Sequence, residues 1–231
     1  MTCLGKYGLR VAAAAGLVPA LPAPGADFSG SLALTSDYVF RGISQTKGNA
    51  APQLGAKVAF GSGFYGAAWA SAVDYGDAVG SDAEVDLVAG WNRTLARRWN
   101  LDINLTRFTY PGTRAPLDLD YNEVIAALTL DQRWWAMLGW SENALGSGGR
   151  GVYAEVGAKF PLSDTFRIET VAANYDLDGY DDNYRRAQVS AIYTIGRADL
   201  RASAHWTSDG AKRLFPGVAG SRVEAAAAWN F

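Results

Sequence analysis

The sequence predicts an all-β fold: an antiparallel transmembrane β-barrel of about twelve strands, with short periplasmic turns and longer extracellular loops. Three observations carry this reading. Residues 221–231 alternate strictly, with Val223, Ala225, Ala227, Trp229 and Phe231 on one face and Arg222, Glu224 and Asn230 on the other. Extended backbone sends those two sets to opposite sides, and an exposed strand of this kind would invite aggregation on an open soluble sheet. Segments of roughly ten residues with the same alternation recur along the chain, separated by breaks that are short and long in turn. Aromatic residues gather at the segment ends, where the two membrane interfaces attract them.

Composition agrees. The chain has 231 residues, a formal charge of −2, 49% hydrophobic residues, 12% aromatics and 26 glycines. This charge gives no reason to expect nucleic acid as a partner. A mean hydropathy of −0.05 and the lack of a long apolar run argue against helical spans. Lys6 and Arg10 precede an apolar stretch over 11–18, and prolines and small residues follow to Ala26, the pattern of a secretory signal peptide. Residues 1–26 are therefore expected to be a leader cleaved after Ala23 or Ala26, and 27–231 a single barrel domain. Cys3, the only cysteine, lies in that leader, so no disulfide framework is expected.

In order, the first segment, 28–40, places Phe28, Leu32, Leu34, Tyr38 and Phe40 on one face. Segment 51–60 sets Leu54, Ala56, Val58 and Phe60 against Gln53 and Lys57, and a Gly-Ser-Gly turn leads into 64–74. Segment 84–91 sets Val85, Leu87 and Trp91 against Glu84 and Asp86, and 99–110 sets Trp99, Leu101, Ile103 and Leu105 against Asn100, Asp102, Asn104 and Thr106. Segments 121–130, 134–141, 151–160, 166–175, 184–194 and 198–206 continue the pattern, and 221–231 completes it. Short breaks are expected near 61, 92, 131, 161 and 195. Longer ones are expected at 42–50, 75–83, 111–120, 142–150, 176–183 and 207–220. Phe28, Phe60, Trp91, Trp99, Trp134, Phe160, Phe166, Trp229 and Phe231 would form the belt beside the short turns. Tyr38, Tyr75, Tyr110, Tyr121, Trp140, Tyr175, Tyr184 and Trp206 would form the belt beside the long loops.

The inward parity carries the charge. An acidic arc is expected from Asp74, Glu84, Asp86, Asp102 and Glu123, and a basic arc from Arg41, Lys57, Arg167, Arg186, Arg201 and Arg222. Opposed arcs would set a field across a pore; the alternative is that these groups pair across a filled lumen. Arg107 and Arg185 fall on the lipid-facing parity near the outer rim, where a guanidinium suits lipopolysaccharide phosphates or simply snorkels.

One stretch has a family likeness. Residues 36–46, SDYVFRGISQT, are followed by APQ at 51–53, SGFYG at 62–66, Trp69, Ser71, EVDL at 84–87 and Gly90-Trp91. This resembles the TorF family of porin-like proteobacterial proteins over about residues 31–91. The resemblance implies an outer-membrane barrel and passive transport, with no catalytic residues.

Other chemistry is weakly signalled. Ser203 and His205 share a face, as in some outer-membrane lipases, but Asp199 on that face lies too far along the strand, and an orienting third group would have to come from a neighbouring strand. The Asp-rich 176–183 lacks the spacing and closing Glu of a calcium loop. No dinucleotide, phosphate-loop or zinc pattern occurs, so no cofactor or metal is expected. The expected partners are outer-membrane lipid and lipopolysaccharide, small solutes, and the barrel-assembly machinery, which reads terminal strands ending in Phe. The sequence thus predicts a channel for passive diffusion of small solutes or ions. The alternative is a non-conducting structural or adhesive barrel acting through its outer loops.

Overall fold

The computed structural model describes residues 25–180 and 182–231; the bulk of the expected leader lies outside them. Twelve strands close into one antiparallel barrel: β1 (Ala26–Thr35), β4 (Ala51–Phe60), β5 (Phe64–Ala72), β6 (Ala83–Ala96), β7 (Trp99–Thr109), β8 (Tyr121–Leu130), β9 (Trp134–Ser141), β10 (Gly151–Pro161), β11 (Phe166–Leu177), β12 (Asp182–Ile195), β13 (Ala198–Thr207) and β14 (Arg222–Asn230). Two further short strands, β2 (Val39–Phe40) and β3 (Ile43–Ser44), pair with each other rather than with the barrel. A short helix, α1 (Asp209–Leu214), caps the last long loop.

Each barrel strand pairs with its neighbours in sequence, and the seam is β1 against β14, with Ser31 opposite Asn230 and Thr35 opposite Ala226. Phe231 completes the seam through two backbone bonds with Gly30, at 2.7 and 2.9 Å. Closure leaves no free sheet edge, and every strand backbone group can be satisfied within the ring, as a hydrocarbon environment demands.

The alternation resolves as expected. Leu34, Leu87, Leu105, Leu138, Val156, Leu200 and Val223 all lie on the outside, with Val223 77% exposed. Glu84, Asp86, Asp102, Glu123, Asp199 and His205 point inward and are buried. In a water-soluble protein this inversion would leave most large apolar side chains hydrated; against acyl chains it is the stable arrangement. The inner belt holds for Phe28, Phe60, Trp99, Trp134, Phe160, Trp229 and Phe231, which are exposed on the outer face, whereas Trp91 lies within β6 opposite Ile103, half-buried and away from any turn.

Three expectations fail. The first strand ends at Thr35, so Tyr38 and Phe40 do not face lipid. The short break near 92 is absent: β6 runs on to Ala96 and turns at Arg97-Arg98. Nothing at 91–95 breaks a strand, and Asn92 continues the inward polar row by bonding Asp102 at 3.0 Å. The outer aromatic belt is largely missing. Trp140 and Trp206 do face outward, but Tyr38, Tyr110, Tyr121, Tyr175 and Tyr184 are buried in the interior. Parity explains these last cases: Tyr121 shares a face with Glu123, and Tyr184 with Arg186.

Candidate functional site

The lumen is the functional candidate, and its dominant feature is the segment 36–50 between β1 and β4. Instead of extending outward, it folds into the barrel as a tongue. Its tip is a two-residue turn, Arg41-Gly42, with φ of 48° and 87°. Positive φ at both positions is the geometry that tight hairpins favour. Gly42 meets it without strain and also sits where a Cβ would strike the Thr207 methyl at 2.6 Å.

Arg41 reaches Glu123 on β8 with both terminal nitrogens, one bond measuring 2.9 Å. Its guanidinium lies 4.0 Å from the centre of the Tyr153 ring and 4.9 Å from that of Tyr175. Such cation–π contacts contribute about 0.5–2 kcal/mol each. Tyr184 donates to the Arg41 carbonyl at 3.1 Å. Glu123 fits because the residue beside it on β9 is Gly139, whose Cβ would lie 2.2 Å from the carboxylate.

The rest of the tongue is stapled with equal care. Asp37 accepts from the Ser44 and Thr46 hydroxyls, at 2.5 and 3.0 Å, and from Arg222 of β14 at 2.7 Å. The Ser44 amide bonds the Val218 carbonyl at 2.9 Å, and Gln45 accepts from Tyr75. Lys47 grips Asp74 at 2.8 Å, and that hydrogen bond holds the Asp74 carboxyl below its ordinary range. The apolar side chains dock on three wall patches: Tyr38 on Trp69, Phe40 on Phe108, and Ile43 among Tyr153, Tyr175 and Tyr184.

Along the barrel, the lumen changes character. Beside the tongue, Tyr121, Tyr153 and Glu123 are each only 1% exposed. Toward the short turns, Lys159 and Arg201 are 31% and 26% exposed, so this end is a charged vestibule that solvent reaches.

The expected arcs exist in altered form. Among the acids, Asp74 is not on the lumen wall; it lies in the exposed loop after β5, because that strand stops at Ala72. Among the bases, Arg41 comes from the tongue rather than from a barrel strand. Most of the basic arc is neutralised locally. Arg167 bonds Glu169 and Asp199 at 3.0 and 3.3 Å, and Arg201 bonds Glu169 at 3.1 Å. Arg186 bonds Glu155 at 3.1 Å, Arg222 takes Asp37, and Lys57 lies 3.9 Å above the Tyr65 ring. The partners Glu155 and Glu169 already stand on the inward parity in the sequence; only their cross-strand neighbours could not be placed.

At the outer rim, Arg107 is paired with Asp120 at 2.9 Å. Arg185 is exposed on β12, beside Ser208 and α1, where its amide bonds the Ser208 hydroxyl at 3.0 Å. The Ser203 hydroxyl meets Ser190 at 2.9 Å, while His205 Nε2 meets Glu224 at 2.9 Å, so these groups serve separate contacts. In 176–183, Asp178 and Asp182 each hold an arginine, Arg150 and Arg213. They do not converge on a shared point.

A closed ring of twelve strands with an apolar exterior and a charged interior defines a porin-type β-barrel. Residues 19–231 match the family of bacterial proteins of unknown function designated Gcw_chp, and the chain belongs to that family. No curated protein matches it by sequence. Among solved structures, it resembles the KdgM porin at a TM-score of 0.57 with 7% identity, covering 88% of this chain and 99% of that one. The NanC porin is similar at a TM-score of 0.55 with 9% identity, over 89% and 99%. KdgM is also known in complex with disordered oligogalacturonate, and that structure gives a TM-score of 0.56 at 7% identity, covering 88% of this chain and 98% of that one. At such identities the likeness is one of fold.

Proposed function

We propose that this protein is an outer-membrane channel for passive diffusion of small solutes or ions, narrowed at its outer end by the inward tongue. The observation that carries the reading is the charged, part-exposed vestibule inside a barrel whose exterior is apolar. The likeness of the fold to solved porins supports it. The short turns would face the periplasm and the long loops the exterior. At the rim, Arg185 has a free aspect toward lipopolysaccharide, whereas Arg107 is already engaged by Asp120.

Acidic oligosaccharides of the kind bound by KdgM are poorly matched here, because the lumen arginines already hold carboxylates of the chain itself. Small solutes fit better. The packed outer half favours one competing reading, a closed barrel that acts through its loops. Liposome swelling separates the two. Proteoliposomes of the full mature chain are expected to swell in small neutral sugars and amino acids and to exclude larger oligosaccharides. Swelling no faster than protein-free liposomes would establish the closed barrel instead.

A further inference from the structure

At the short-turn end, the exposed bases crowd one sector of the rim. There β6 and β7 project past the neighbouring turn. The Gly63 carbonyl takes the Asn92 amide at 2.9 Å, and beyond it residues 93–96 pair with β7 alone. Asn92 points inward to Asp102, so Arg93 takes the outward parity. Arg97 and Arg98 form the tip of this hairpin, and Arg133 closes the β8–β9 turn beside it. All four arginines are exposed. The two turns are joined: the Asp131 amide bonds the Arg98 carbonyl at 2.8 Å, and Arg98 Nε bonds the Asp131 carboxylate at 2.7 Å. That side-chain bond holds the Asp131 carboxyl below its ordinary range. Asp131 is the one acid on these turns, and it offsets one base. Arg133 adds a longer-range attraction to the same carboxylate, but among the described residues none of Arg93, Arg97 and Arg133 is in a salt bridge. The other short turns differ. Gly61-Ser62-Gly63 carries no charge, Ser163-Asp164-Thr165 carries an acid, and Gly196-Arg197 a single base.

An apolar row adjoins the patch on its membrane side. Trp99 lies opposite Leu130, and Leu130 opposite Trp134. Trp134 meets Phe160 edge-on at 5.7 Å. Trp99, Trp134 and Phe160 are exposed on the outer face, and Leu95 on β6 is exposed as well.

Rings placed in this way sit where acyl chains give way to headgroups. They fix the depth of the arginines next to them, which stand at the level of lipid phosphates. A guanidinium fork matches a phosphate through two parallel hydrogen bonds. A zwitterionic headgroup brings its own cation to such a patch, whereas an anionic one does not, and surplus bases beside a bilayer favour the anionic lipid. We infer that the β6–β9 rim binds the phosphate of an anionic phospholipid in the periplasmic leaflet, with Arg93, Arg97 and Arg133 as its ligands. The inference rests on the membrane placement within the channel reading and not on conduction.

Lipid-specific quenching tests it. The mature chain is expected to lack cysteine, so Gln132→Cys supplies one attachment point at this rim. A fluorophore there is read in phosphatidylcholine vesicles containing equal mole fractions of doxyl-labelled phosphatidylglycerol or doxyl-labelled phosphatidylcholine. The glycerol lipid is expected to quench severalfold more, and the preference to shrink in about 1 M salt, where the Debye length is about 3 Å. Arg93→Gln, Arg97→Gln and Arg133→Gln together should bring the two lipids level. These side chains are exposed, so the barrel should fold; circular dichroism verifies that. Arg197→Gln, across the ring, should leave the preference in place. Dissolved glycerol phosphate should not displace the lipid; if it does, the patch takes any phosphate ester and the lipid claim fails. Equal quenching by the two lipids in the otherwise wild-type chain, or as large a loss from Arg197→Gln as from the triple exchange, overturns this inference and leaves the membrane placement standing. Absence of quenching by either lipid removes that placement and the inference with it.

Discussion

Arg41 carries more of this interior than any other residue. It stands at positive φ in a turn, which side chains other than glycine seldom adopt. Its compensation is the pairing with Glu123, enclosed by Tyr153 and Tyr175. Removing one partner of a buried pair leaves the other charge stranded, at a cost of about 3–5 kcal/mol, whereas replacing both with apolar groups costs far less. Arg41→Met and Glu123→Leu are each expected to destabilise the barrel by about 3 kcal/mol in urea unfolding. The double variant should lose much less than the sum. Additive losses would show that the two side chains do not depend on each other. The inward direction of Glu123 was legible from its place opposite Val124, Ala126, Leu128 and Leu130. Its partner was not, because Arg41 reaches it through the fold of the tongue and not through any periodic pattern.

At the scale of elements, the tongue is where pattern reading stops working. Residues 28–40 alternate well enough to look like one strand, and the alternation even places Tyr38 and Phe40 with Phe28. The Ser36 amide still bonds the Ala225 carbonyl of β14 at 2.7 Å, and the backbone turns inward beyond it, where the Asp37 side chain gathers Ser44, Thr46 and Arg222. Local polar contacts of this sort are invisible to a period-two count. The other barrel strands were legible because each is long, regular and split between lipid and lumen, the case in which register is most tightly specified. If the tongue narrows the passage, replacing 37–49 with a short Gly-Ser connection between β1 and β4 should raise single-channel conductance severalfold and let larger sugars through in swelling assays. Unchanged conductance and size limit would place the constriction elsewhere.

For the whole molecule, the account depends on one physical division: acyl chains outside, water and paired charge inside. That division is visible in the sequence from Val223 to Phe231. The aromatic belts were only half legible. Phenylalanine and tryptophan at the short-turn ends do meet the interface, while tyrosines at the other end turn in to pack the tongue. Hydroxylated rings serve either place, and only their parity tells which. Position by position, the division can be read along β14. Cysteines introduced singly as Val223→Cys, Glu224→Cys, Ala225→Cys, Ala226→Cys, Ala227→Cys and Ala228→Cys would carry an environment-sensitive fluorophore in lipid vesicles. Quenching by doxyl lipid is expected at 223, 225 and 227, and quenching by aqueous iodide at 224, 226 and 228. Equal quenching at all six positions, or the opposite alternation, would contradict the account.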